Sequence, residues 1–157
     1  MIDNSILVLA IGNDIIGDDG AAFAASDALR ERFADGVDFE NVYGGGLEIL
    51  DIIEGRERVL VLDTISTERN PVGTILEFSP ADFSHSSSSS PHYVGLPEVI
   101  KLAEMFNIEF PQSVKILAIE TEFQNEITEN LSPQIKFMLP HYIDRAGTII
   151  NDWLQNL

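Results

Sequence analysis

SILVLAIGNDIIGDDG, Ser5 to Gly20, joins two unlike halves. From Ser5 to Gly12 the chain is apolar without interruption and closes on a glycine. A strand wetted on one face alternates polar and apolar residues, whereas one buried on both faces reads as a continuous run. The second half, GNDIIGDDG, sets Asp18 beside Asp19 between glycines. Like charges side by side repel, so the pair calls for a reason. Ala22, Ala25, Leu29 and Phe33 follow at helical spacing, which puts both acids near a helix N-terminus. The helix dipole favours anions there by about 0.3–1 kcal/mol, a modest reward for two adjacent charges. Buried strand, glycine loop and helix form the opening of a βαβ unit.

The same signals recur along the chain. VDFENVY (Val37–Tyr43) alternates like a strand, GGG (Gly44–Gly46) breaks it, and LEILDII reads as a short helix. RVLVLDTI (Arg58–Ile65) is a second continuous apolar run that carries an acid, Asp63. VGTILEFS (Val72–Ser79) follows a proline turn and reads as another strand. The low-complexity stretch SHSSSSSPH (Ser84–His92) has the composition of a loop. Leu96, Val99, Ile100, Ala103 and Phe106 make one helical stripe, and SVKILAIE (Ser113–Glu120) is a last strand. LSPQIKFML opens the final helix, with Ser132 at the N-cap and Pro133 at the first helical position. Ile135, Met138, Leu139, Tyr142, Ala146, Ile149 and Trp153 share one face of it, and Pro140 is expected to kink it.

Strands alternating with helices predict an α/β fold over residues 1–157: a single-domain three-layer sandwich, its mainly parallel sheet flanked by helices. Such sheets bind ligands outside the carboxyl ends of their strands. Asp18, Asp19 and Asp63 all fall on that edge.

Composition narrows the chemistry. The 157 residues carry 26 acids against 9 lysines and arginines, a formal charge of −17. Such a field repels polyanions, so neither nucleic acid nor an anionic membrane is an expected partner. With no cysteine, disulfides, thiolate metal ligands and cysteine nucleophiles are excluded. The start lacks a basic segment and its apolar run is too short for a signal peptide or a membrane span, so a cytoplasmic protein without membrane insertion is expected.

Three chemistries fit poorly. GNDIIGDDG lacks the Gly-Lys-Ser/Thr of a phosphate loop, does not match Gly-x-Gly-x-x-Gly, and sets Asp18 and Asp19 where phosphate needs amides. LDTIS resembles an aspartic-protease signature, but Ile65 replaces its glycine and no second copy supplies a partner acid. No Gly-x-Ser-x-Gly elbow occurs. Carboxylates from two strand ends plus one imidazole would suit a divalent transition ion. Of the three histidines, His141 lies within the last helix, and His85 and His92 flank the serine run. His92, after Pro91 and just before a helix, is the better fixed of the two. A buried strand rarely ends in an acid without a partner or a task, and VLVLD ends in Asp63.

In order, LVLAIGNDIIGDDGAA, GGGLEIL, VLVLDTI and SPHYVGLPEVI resemble four segments of the hydrogenase maturation endopeptidases. That family removes a C-terminal peptide from the large-subunit precursor of nickel–iron hydrogenases. The resemblance spans nearly the whole chain and implies a twisted sheet flanked by helices. Carried over by motif position, it implies a nickel-recognition site of Asp19, Asp63 and His92, with Asp18 supporting it from behind. It further implies that nickel arrives in the precursor, held by the precursor's thiolates, while another divalent metal can occupy the site in the isolated protein. An oxygen–nitrogen trio completes that coordination without competing for sulfur. The glycine segment departs from the family: Tyr43-Gly44-Gly45-Gly46 stands where an aspartate usually precedes the glycines and a threonine follows, and it is about two residues shorter. That segment is connected with substrate recognition, so the departure bears on which precursor is cut. The alternative reading is a non-catalytic nickel-binding maturation chaperone of the same fold.

Overall fold

The computed structural model describes residues 4–44, 47–83, 103, 105–123 and 126–156. Strand β1 (Ile6–Ile11) leads through a 3-10 turn (Gly17–Gly20) into α1 (Ala21–Arg32). β2 (Val37–Val42), α2 (Leu47–Ile53) and β3 (Arg58–Ile65) follow. β4 (Ile75–Phe78), β5 (Ser113–Glu120) and α3 (Pro133–Gln155) close the order. The sheet runs β2-β1-β3-β5-β4, with only β4 antiparallel, at the edge. The expected α/β sandwich with a mainly parallel sheet is what forms.

All six residues of β1 are buried, as its unbroken apolar run requires. Its alternate side chains enter opposite layers. Ile6, Val8 and Ala10 join Leu60, Leu62, Leu117 and Ile119 under α1 and α3. Leu7, Leu9 and Ile11 join Val59, Val61 and Ile116 under α2, against Ile49 and Ile53. Each fully buried Leu or Ile removes enough apolar area from water to contribute roughly 1.5–3 kcal/mol before the entropy of ordering is counted.

The limits of some elements differ from the sequence reading, and others agree with it. The strand expected over Val72–Ser79 is shorter, because Thr74 N–H closes a turn on the Pro71 carbonyl (3.1 Å) and Gly73 takes φ +95°. Asp18 and Asp19 lie in the 3-10 turn that precedes α1, one step before the helix itself. Phe106 is exposed beyond the helical turn, while Ala103 is buried; Leu96, Val99 and Ile100 lie outside the described residues. α3 continues through Pro140, whose side faces solvent. On α3, Ile135, Tyr142, Ala146, Ile149 and Trp153 are buried as their spacing requires, joined by Ile143, Gly147 and Ile150.

Candidate functional site

β1 lies between β2 and β3, so the chain leaves β1 toward one side and returns on the other. The reversal opens a crevice at the carboxyl edge, the place where open α/β sheets bind ligands. The ladder from β1 to β3 ends at Ala10 opposite Leu62, one residue short of Asp63. Beyond it Gly12 N–H bonds to the Val42 carbonyl (3.1 Å), so β1 stays with β2 while β3 runs on beside β5 to Ile65. Asp63 begins where the two strands part.

The loop from Gly12 to Gly20 folds back on its own start. Asn13 N–H donates to the Asp19 carbonyl (3.2 Å), and a Cβ on Gly12 would stand 2.3 Å from that same oxygen. Gly17 takes φ +51°, and Gly17 N–H reaches the Thr128 carbonyl (2.8 Å). The glycines are thus there for close approach and turning, and phosphate has no part in the explanation.

The two adjacent acids have separate partners. Asp18 is buried, and its carboxylate accepts the Ser132 N–H at 2.6 Å. It ties the first loop to the start of α3. Ser132 occupies the N-cap as expected, but its side chain makes no capping bond and its hydroxyl is buried without a partner among the described residues. Asp19 is half-buried and accepts the Thr64 hydroxyl at 2.7 Å. Asp63 is fully buried, and its Oδ1 accepts the Thr64 N–H, also at 2.7 Å. Thr64 therefore holds both carboxylates.

Behind them, Tyr142 of α3 sends its hydroxyl into the sheet. It accepts the Asp63 N–H (3.1 Å) and donates to the Leu117 carbonyl (2.6 Å). Burial, reinforced by the Asp63 charge, pushes the Tyr142 hydroxyl well above its ordinary pKa. At neutral pH it is therefore protonated and remains a donor.

Glu120 ends β5 on the same edge and is buried. It accepts the Thr67 N–H (2.7 Å), the Thr67 hydroxyl and an Asn70 amide (3.3 Å), and so anchors the turn after β3. Sequence reasoning passed over Thr64, Glu120, Tyr142 and the Ser132 amide. An acid closing an apolar run was the available signal for Glu120; the other three had none.

Tyr43 follows β2 on this edge, 63% exposed. Its hydroxyl donates to Asp14 (3.2 Å), which raises its pKa, and its ring packs edge-on against Phe23 with centroids 5.2 Å apart. Nothing lies within 4 Å of a Cβ built on Gly44. Gly45, Gly46, His85 and His92 lie outside the described residues. Within the described residues no three His, Asp or Glu side chains gather closely enough to hold a metal. The structure thus brings Asp19 and Asp63 together on Thr64, and the place of His92 is outside what it describes. No described helix is long and apolar enough to cross a membrane.

An open sheet with carboxylates converging at its switch point defines a doubly wound α/β protein that works at the carboxyl edge. A family model described as hydrogenase maturation protease matches residues 27–149. The Hydrogenase 2 maturation protease of Escherichia coli K12 is 31% identical over 136 residues, covering 83% of this chain and 77% of that protein. A hydrogenase expression/formation protein, HupD of Bradyrhizobium diazoefficiens, is 25% identical over 155 residues, covering 96% and 80%. The hydrogenase-maturating endopeptidase HybD from E. coli superposes with TM-score 0.81 at 24% identity, covering 94% of this chain and 92% of that one. The NiFe hydrogenase maturation protease HybD from Thermococcus kodakarensis gives 0.72 at 22% identity, covering 92% and 97%. At such identities the superpositions establish the fold.

The chain belongs to the hydrogenase maturation protease family and is a hydrolase, an endopeptidase. The family processes the large-subunit precursors of hydrogenases.

Proposed function

We propose that this chain cuts a C-terminal peptide from the nickel-loaded precursor of a nickel–iron hydrogenase large subunit, and that Asp19, Asp63 and His92 read the nickel. The supporting observation is the convergence of Asp19 and Asp63 on Thr64 where β1 and β3 part. Two carboxylate oxygens and an imidazole suit a divalent transition ion, and with no cysteine the chain does not compete for the thiolates that hold nickel in the precursor. In the isolated protein another divalent metal can take the same place. A divalent ion there would polarise the scissile carbonyl or activate a water, or would serve for recognition alone with a nearby carboxylate as the base. Asp18 keeps the loop that carries Asp19 docked on α3. Tyr43, Gly44, Gly45 and Gly46 form the substrate-recognition segment, with the exposed Tyr43 ring in place of the family's usual acid. The cytoplasm is the compartment this reading requires.

Mass spectrometry of nickel-loaded and nickel-free precursor, each incubated with the protein, tests the reading. Loss of a short C-terminal peptide from the nickel-loaded form only is expected; equal cutting of both overturns it. Asp63→Asn abolishes cutting without lowering the melting temperature, because an asparagine Oδ1 still accepts the Thr64 N–H. His92→Ala abolishes cutting and His85→Ala leaves it near normal. The reverse pattern would move the third ligand to His85.

A further inference from the structure

We infer that Thr64 is a positioning residue that sets the carboxylates of the proposed nickel-reading site, an inference that rests on that reading of Asp19 and Asp63. Thr64 is next to last in β3 and almost wholly buried. Its amide donates to Asp63 and its hydroxyl to Asp19, each at 2.7 Å. The first carboxylate is its chain neighbour. The second comes from the loop after β1, 45 residues away. Strand alternation turns the Thr64 side chain toward the α1 layer, from which the 3-10 turn delivers Asp19. One residue therefore joins the two segments whose acids must act together.

For packing alone the position needs only a β-branched side chain, which valine supplies equally well. What valine lacks is the donor. A hydroxyl given to a carboxylate is a charge-assisted bond, roughly twice as strong as a neutral one. The hydroxyl serves Asp19 and the amide serves Asp63, so each acid at this strand end has a donor of its own. The bond also fixes the position of Asp19 Oδ1. Ligands must sit within about 0.5 Å of the productive geometry, and supporting hydrogen bonds of this kind hold them there. Thr64 thus acts through Asp19.

The test compares Thr64→Val, Thr64→Ser, Asp19→Asn and the double variant Thr64→Val with Asp19→Asn. Two quantities are read: the melting temperature of the protein alone, and the ratio of its affinities for nickel-loaded and nickel-free precursor, measured by rapid mixing before the first turnover. Thr64→Ser is expected to keep the wild-type ratio. Thr64→Val loses about tenfold of it and melts somewhat below the wild type, since the Asp19 carboxylate loses a charge-assisted donor. In the Asp19→Asn background Thr64→Val takes away nothing further, since the two residues act as one unit. If Thr64→Val keeps the ratio that Asp19→Asn loses, the role of Thr64 is refuted and the site stands. Loss by Thr64→Ser equal to that of Thr64→Val shows a packing role and also refutes it. If Asp19→Asn keeps the ratio, or the wild type shows no preference for nickel, the reading of the site itself fails. Should Thr64→Val not fold, Thr64→Ala replaces it, with the same outcomes set against Thr64→Ser.

Discussion

At the scale of single residues, the adjacent acids divide into two tasks. Asp18 is an architectural acceptor: its buried carboxylate takes the Ser132 N–H at 2.6 Å, beside the dipole of α3. Asp18→Ala leaves that amide unpaired in a half-buried place and is expected to cost about 1–3 kcal/mol, while Asp18→Asn, which keeps an acceptor, costs less. Urea denaturation of the two variants measures the difference; equal losses would mean that charge, and not the bond, matters. Tyr142 serves the next strand in the same way. Tyr142→Phe removes the partner of the Asp63 N–H and the Leu117 carbonyl together, with an expected loss of about 1–3 kcal/mol in the same assay. Neither pairing is visible in the sequence. Asp18 and Ser132 stand 114 residues apart, and Asp63 and Tyr142 stand 79 apart. No local pattern records which distant amide a carboxylate or a phenol will meet.

At the scale of elements, the loop between β1 and α1 is the part that sets the site. It closes on itself because Gly12 lets the Asp19 carbonyl come within reach, and Gly20 lets Asp14 do the same, with its Cα 3.1 Å from a Cβ built there. In Gly12→Ala the new methyl would overlap backbone that has no rotamer to yield, so the loop must shift and Asp19 must leave Thr64. The expected result is a loss of about 1–3 kcal/mol, as for other overpacked sites, together with loss of cutting per folded molecule. A melting curve and the precursor assay on one sample separate the two effects; normal cutting would show that Asp19 tolerates displacement. The elements themselves were largely legible. β3 and β5 have the limits their apolar runs imply, Arg58–Ile65 and Ser113–Glu120. The strand after Pro71 is shorter than its apolar run implies, because its first residues belong to a turn closed by Gly73 and Thr74.

At the scale of the whole molecule, charge governs behaviour. With a formal charge of −17, acids repel one another across the surface. Raising NaCl from about 10 mM to about 150 mM shortens the Debye length from about 30 Å to about 8 Å, and the melting temperature is expected to rise as that repulsion is screened. A fall would mean that the ion pairs outweigh the repulsion. One pair has a pH signature. Burial works to raise the pKa of Asp38, but bonds from Arg56 and Asn4 outweigh it, and the carboxyl lies below its ordinary 3.8. A depressed folded pKa gives stability that is fully present above the unfolded value and is lost as pH falls through the folded one. Asp38→Asn should therefore lower stability at neutral pH and flatten the acid limb below pH about 4, as read by melting temperature against pH. The sequence by itself determined the layers of this protein, because burial on both faces of a strand and on one face of a helix imposes periods that survive in the order of residues. It also marked Asp19 and Asp63 as edge acids, since strand direction alone sends strand ends to one side of a parallel sheet. Only the tertiary structure decided that β1 and β3 part just before Asp63 and that Thr64 holds both carboxylates. It alone assigned Asp18 to α3. Those outcomes depend on which distant groups meet in space, and a hydrogen bond between segments leaves no period in the chain that makes it.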